Sequence, residues 1–248
     1  MNAEKYHFSD FTTENYSRLL RLAKQNFTFK TFNDFNPENE FVIWRHDVDF
    51  SMHRALKMAK IEAKQGIKAT YFVLLHSEFY NLLEKEISYL LKQIIELGHD
   101  IGLHFDSHYY NINNETDLES KLLFEKGIIE NVFNLSINSF CFHINNTFTL
   151  GCNKTHYAGL LNAFSDYFQK QVSYCSDSNG YWRFKRLEDV LSDKGIKQLQ
   201  VLTHPELWQD EVMSPRQRVH RCAELRSEKS KQWYNDILKN NNRENIDW

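Results

Sequence analysis

Seven aspartates and histidines stand where the apolar runs of this chain stop. Asp47 and Asp49 close FVIWRHDVD, His104 and His108 close IGLHFDSH, and His143 closes INSFCFH. Asp177 closes VSYCSD, and His204 closes QLQVLTH. Asp47 and Asp49 are two apart, so an extended backbone turns both carboxylates to one face. Two such groups tolerate each other when one binds a cation and the other is held by hydrogen bonds or shares a proton. His104 and His108 are four apart, the spacing that lines up two imidazoles on a helical turn and suits a shared metal. With an aspartate from another strand end they make a two-histidine, one-carboxylate set with open coordination positions, the arrangement of a catalytic divalent site. His204 precedes Pro205, which holds it away from the helical region at the rim of its run.

The elements that must position these groups alternate. A helix is expected over about 13–25, with strands at FVIWRHD, KATYFVLL (68–75), HDIGLHF, INSFCFH (137–143), VSYCSD (172–177) and QLQVLTH (198–204). Between them the sequence predicts helices over about 52–65 (capped by Ser51, stopped at Gly66), about 80–97 (closed by Gly98), and from a capping box at Thr116–Glu119 to about 133. Ser214, Pro215 and Gln217 open the last helix. Apolar strands separated by helices point to βαβ units on a parallel sheet, either open and doubly wound or curled into a barrel. Such folds build their sites at the carboxyl ends of the strands, where all seven residues lie.

Composition narrows the function. The 248 residues include only 8 Gly and 3 Pro, and neither the dinucleotide fingerprint nor a P-loop can be written with them. Thirty basic and 33 acidic side chains give a net charge of −3, so a nucleic-acid partner is not expected. Cys141, Cys152, Cys175 and Cys222 form no C-x-x-C pair, which excludes a zinc ribbon or thioredoxin motif. No run is long enough for a membrane span, and the N-terminus lacks a secretory pattern, so a cytoplasmic protein is expected.

Read in order, the motifs resemble those of the polysaccharide deacetylase (NodB homology, carbohydrate esterase 4) family, in a divergent branch with R-H-D-V-D as its first motif. GHDIGLHFDSH resembles the second motif, SDSNGYW (176–182) the later Asp-and-Trp motif, and LTHPELW the final Leu-x-His motif. The resemblance spans about residues 41–208. It implies a single domain over 1–248, a distorted (β/α) barrel with about seven strands, extended by an N-terminal helical segment (1–40) and a C-terminal helix (about 214–240). It implies a metal-dependent hydrolase that removes an acetyl or formyl group from an amino sugar or related carbohydrate. In that reading Asp47 is the general base and His204 the general acid. Asp49, His104 and His108 hold one divalent ion, zinc first, with Co, Ni, Fe or Mn as others. His143, Asp177 and Trp182 are expected to bind or orient substrate, Trp182 as part of the pocket wall.

The third motif of the family carries an arginine that pairs with the base aspartate, whereas CFHINN (141–146) has neither arginine nor proline. Arg45, on the same strand face as Asp47, and Arg183, next to Trp182, are the two replacements the sequence offers. The expected substrate is a soluble or lipid-linked precursor of a surface polysaccharide. Two other readings share these residues. One is a carbohydrate-binding pseudoenzyme that kept the cleft. The other is a non-haem iron oxygenase, whose ligand set is similar but whose usual double-stranded β-helix does not suit the βα alternation.

Overall fold

The computed structural model, which describes residues 2–244 and 246, is an alternation of strands and helices. Its elements run α1 (Asn2–Lys5), α2 (Thr13–Asn26), β1 (Phe29–Lys30), β2 (Phe41–Val48), α3 (Met52–Lys64), β3 (Thr70–Leu74), α4 (Lys85–Glu96), β4 (Asp100–Phe105) and α5 (Glu115–Phe133). They continue β5 (Ser139–Phe142), β6 (His156–Tyr157), β7 (Leu160–Asn162), α6 (Asp166–Lys170), β8 (Ser173–Ser176), α7 (Leu187–Ser192), β9 (Gln198–Thr203) and α8 (Pro215–Asn240). The local signals act as their chemistry dictates. Ser51 accepts the Arg54 N–H at the start of α3, and Gly66 takes a φ of +69° just after it. Ser214 and Gln217 form a reciprocal capping box, with Pro215 as the first residue of α8. One start differs from expectation: Asn114, not Thr116, caps α5, its side chain accepting the Asp117 N–H at 2.9 Å. Among the described residues no helix is long and apolar enough to cross a membrane.

The strands lie in the order β6-β7-β5-β4-β3-β2-β9-β8, with β1 beside the start of β2. From β7 to β8 every neighbouring pair is parallel, which makes seven parallel strands; β6 turns back on β7 as a small antiparallel pair. The sheet curls so far that Gln200 on β9 donates to the carbonyl of Ala163, just past β7, at 3.2 Å. The result is a distorted (β/α) barrel, and among the described residues no pairing closes β7 onto β8. The tiny β1, β6 and β7 went unforeseen because two or three residues carry no readable period.

Alternation along β2 separates two environments. Phe41 and Ile43 point inward, where with Phe72, Cys141, Ala163 and Phe168 they fill the lower interior. Phe72 lies against Gly102 on the neighbouring strand; a Cβ there would sit 2.3 Å from the phenyl ring. Glycine is required at that position because the ring uses its space. Val42, Trp44, His46 and Val48 are buried, and all but His46 join the core between sheet and helices. His46 enters a buried polar network on that side. Glu62 of α3, fully buried, accepts from the hydroxyls of Tyr16 and Tyr71 (2.7 Å for Tyr71) and from His46 Nε2 at 2.6 Å. Thr203 donates to His46 Nδ1 at 2.9 Å, so every hydrogen-bonding atom of the imidazole is used.

Candidate active site

The inward face of β2 changes character as it rises. Above Phe41 and Ile43 come Arg45 and Asp47, and past the strand end comes Asp49. Arg45 and Asp47 are both buried, and Nη2 of the guanidinium donates to Asp47 Oδ2 at 3.0 Å. Arg45 Nη1 donates to Gln200 at 3.2 Å, and the guanidinium carbon stands 5.4 Å from the Phe72 ring centre. Burial would depress the arginine pKa, but Asp47 more than offsets it and holds the group charged. Asp49 is held through its backbone: Ser77 donates to its carbonyl at 3.1 Å, and Tyr80 donates to the carbonyl of Val48 at 2.8 Å.

His104 is the penultimate residue of β4 and is buried. Its Nε2 lies 3.0 Å from Asp49 Oδ1 and 3.8 Å from Asp47 Oδ2. His143 follows β5, where its N–H bonds the carbonyl of Phe105 at 2.9 Å. The adjacent strand therefore brings its Nδ1 to 3.2 Å from Asp49 Oδ1 and 3.1 Å from His104 Nε2. Asp49, His104 and His143 offer three ligand atoms all within 4.8 Å of one another. Burial would raise the Asp49 carboxyl, but the His104 and His143 hydrogen bonds and the charges of His104 and His204 hold it well below the usual range. Asp49 in turn raises His143 against the opposing effect of burial. A carboxylate and two imidazoles whose ligand atoms converge are a set of donors suited to a divalent cation. Cys141 adds a support the sequence reading missed. Burial and Asp47 push its thiol pKa well up, so the sulfur keeps its proton. It donates to Asp47 Oδ1 at 3.5 Å and stands 3.0 Å from His104 Nδ1. With Nδ1–H directed at that sulfur, Nε2 is the nitrogen that faces Asp49 and would be the one to meet a cation.

His108 is not brought to this cluster. Its side chain is exposed, and its backbone N–H is held by Asp106 at 2.9 Å. The four-residue spacing aligns imidazoles only on a helix, whereas His104 lies in a strand and a turn follows Phe105. His143, expected to orient substrate, is the histidine that stands beside Asp49 and His104.

On the opposite side, His204 Nδ1 donates to Asp177 Oδ1 at 2.6 Å, with its Nε2 3.9 Å from Asp49 Oδ2. Burial alone would lower the imidazole pKa, but Asp177, its hydrogen bond and Asp49 push it up to about 10. Asp177 is fully buried and also accepts the His204 N–H at 3.1 Å and the Trp208 indole N–H at 2.8 Å. Trp208, in the same LTHPELW run as His204, is the tryptophan that serves the site. Trp182 does not: its indole donates to Asp10 at 2.8 Å and stacks on Phe11, fixing the N-terminal segment. Arg183 is exposed, its guanidinium 5.4 Å from the Phe184 ring centre, so Arg45 alone of the two reaches Asp47.

A cavity of about 390 Å³ opens beside Asp49 and His204, walled by Asn179, Glu206, Pro215 and Val219 among others. The start of α8 forms its outer side. Arg218 fixes that helix by donating to the carbonyl of Gly180 at 3.0 Å, its guanidinium 4.2 Å from the Phe11 ring centre.

No protein-family description matches the sequence, and no curated protein matches it. Solved structures do resemble the fold. A family 4 carbohydrate esterase from Bacillus anthracis is similar over 85% of this chain and 86% of its own, at 16% identity and a TM-score of 0.47. The chitin deacetylase of the fungal pathogen Colletotrichum lindemuthianum is similar over 75% and 81%, at 15% identity and 0.45. A family 4 pseudoenzyme from Bacillus anthracis is similar over 77% and 63%, at 17% identity and 0.41. These are likenesses of fold.

Proposed function

We propose that the protein is a metal-dependent hydrolase that removes an acetyl or formyl group from an amino sugar or related carbohydrate. The observation that carries the reading is the arrangement on either side of the Asp49–His104–His143 cluster. A carboxylate paired with Arg45 stands on one side, and a cationic imidazole backed by Asp177 on the other. The carbohydrate class is supported by the order of the sequence motifs. In this reading the metal is zinc, and the substrate is a soluble or lipid-linked precursor met in the cytoplasm.

Asp49, His104 and His143 would hold the divalent ion. Such an ion supplies Lewis-acid polarisation of the acyl oxygen and lowers the pKa of water toward about 7. The Asp47 carboxylate takes the proton of the attacking water. Its Oδ2 is fixed by Arg45, so the base keeps one orientation throughout. His204, carrying both protons at neutral pH, donates from Nε2 to the departing nitrogen, while Asp177 holds Nδ1–H and stabilises the cation.

The test is release of acetate or formate from N-acyl amino sugars, free, nucleotide-linked and lipid-linked, by the zinc-loaded protein. Asp47→Asn is expected to lose about 10²–10⁴-fold in turnover while keeping its metal. Binding of these sugars with no acyl release from any of them would overturn the hydrolase and leave a binding protein.

A further inference from the structure

We infer that Glu206 is a specificity-determining residue that hydrogen-bonds a hydroxyl of the sugar leaving group, in the cavity beside His204. The inference rests on the proposed amide hydrolysis and adds the part of the substrate that this cavity takes.

Glu206 follows His204 by two residues, in the short turn Pro205–Leu207. Its side chain is withdrawn from solvent, the residue being 2% exposed, and its Oε2 has no hydrogen-bond partner. The contrast with Glu62 is direct. That carboxyl, equally buried, is met by Tyr16, Tyr71 and His46. A buried carboxyl oxygen without a donor is a standing cost to the fold, roughly 1–3 kcal/mol or more. The chain holds it in place nonetheless. Gln209 donates to the Glu206 carbonyl at 2.7 Å, and the turn is closed by the Leu207 N–H on the carbonyl of His204 at 3.0 Å. The residue lines the 390 Å³ cavity, together with Asp49 and His204.

The position in the site defines what the cavity receives. Of the catalytic groups it touches His204 and Asp49, but not Asp47. His204 must reach the departing nitrogen, so the portion of substrate next to it is the sugar that leaves with that nitrogen, not the acyl group. A sugar ring presents hydroxyl donors around that nitrogen. A buried carboxyl lacking a partner is completed by such a hydroxyl, which can donate or accept, and a site built around a missing hydrogen bond rejects analogues that cannot supply it.

The experiment uses D-glucosamine, the leaving half alone, and its monodeoxy analogues, titrated calorimetrically into the zinc-loaded protein. Wild type is expected to bind glucosamine and to lose about 10-fold in affinity for one monodeoxy analogue. Glu206→Leu is expected to bind glucosamine about 10-fold more weakly, with bound zinc unchanged, and to show no further loss with that analogue. Glu206→Gln, which keeps a carbonyl acceptor, should fall between. The deoxy series on the wild type tests the idea even if a variant fails to fold. The proposal is overturned if wild type binds no glucosamine, or if all analogues bind it equally. It is overturned too if only loss of the amine matters, or if Glu206→Leu binds like wild type. The expected binding pattern without acyl release would uphold this subsite and count against the hydrolase reading.

Discussion

The sulfur of Cys141 lies 3.0 Å from Nδ1 of His104, on neighbouring strands whose register sets the two residues side by side. The contact orients the imidazole so that Nδ1 meets the sulfur and Nε2 faces Asp49. Cys141→Ala removes the acceptor, and divalent-metal affinity is expected to weaken by about 10–100-fold. Competition with a chelator measures it. An affinity equal to wild type would show that the contact does not orient the ligand.

His143 and His108 give opposite expectations. His143→Ala should lose stoichiometric metal, because it removes one of three clustered donors. His108→Ala should retain it, because that side chain is exposed to solvent. Metal analysis after dialysis decides between them, and the reverse outcome would return the site to the four-residue spacing read from HFDSH.

The Asp177–His204 pair predicts a pH dependence with a definite sign. His204 is raised from 6.5 to about 10, so the proton it would donate in the proposed mechanism is present through neutral pH and is lost as pH rises toward about 10. In Asp177→Asn the alkaline limb of kcat/KM should move down toward the ordinary histidine range. The same shift contributes folding stability that is complete below about 6.5 and disappears as pH rises through about 10. Denaturant unfolding of metal-free wild type and Asp177→Asn across that interval should converge at the alkaline end. Parallel curves would sink the assignment.

Glu125 on α5 makes a separate prediction, away from the chemistry. It is buried with its Oε1 3.4 Å from His76 Nε2, and burial pushes its carboxyl up to about 8. A carboxyl raised in the folded state favours folding while protonated. That contribution is full below about 4.5 and lost as pH climbs through about 8. Glu125→Gln should therefore be the more stable protein on the alkaline side, by about 1–3 kcal/mol, and lose this advantage in mild acid. Urea unfolding at both ends of the range checks it.

Much of this site was legible because it depends on strand ends. Asp47, Asp49, His104, His143, Asp177 and His204 were found from apolar runs that stop at polar residues, and an extended chain leaves little freedom in where those residues face. The pairing of Arg45 with Asp47 followed from the same period of two. What could not be read depends on which strands are neighbours. Nothing local distinguishes His143 from His108 as the partner of His104; the pairing of β4 with β5 does. Cys141 is in the same position, an unremarkable buried thiol until the sheet sets it between His104 and Asp47. Trp208 and Trp182 show the limit for aromatics. Both lie next to motif residues, but only the tertiary fold sends one to Asp177 and the other to Asp10.

The Glu62 network has a bearing on how reliably the inward polar face of β2 is assembled. Slippage of β2 by one residue would exchange its two faces, sending His46 inward and exposing Arg45 and Asp47 to the helices. Apolar residues alone would penalise this weakly, since Phe41, Val42, Ile43 and Trp44 are buried on either side. The hydrogen bonds of His46 with Glu62 and Thr203 supply the missing discrimination, because a shifted strand would strand a buried glutamate without its imidazole. The chain thus proofreads the placement of Asp47 from the far side of the sheet, with residues that lie outside the candidate site.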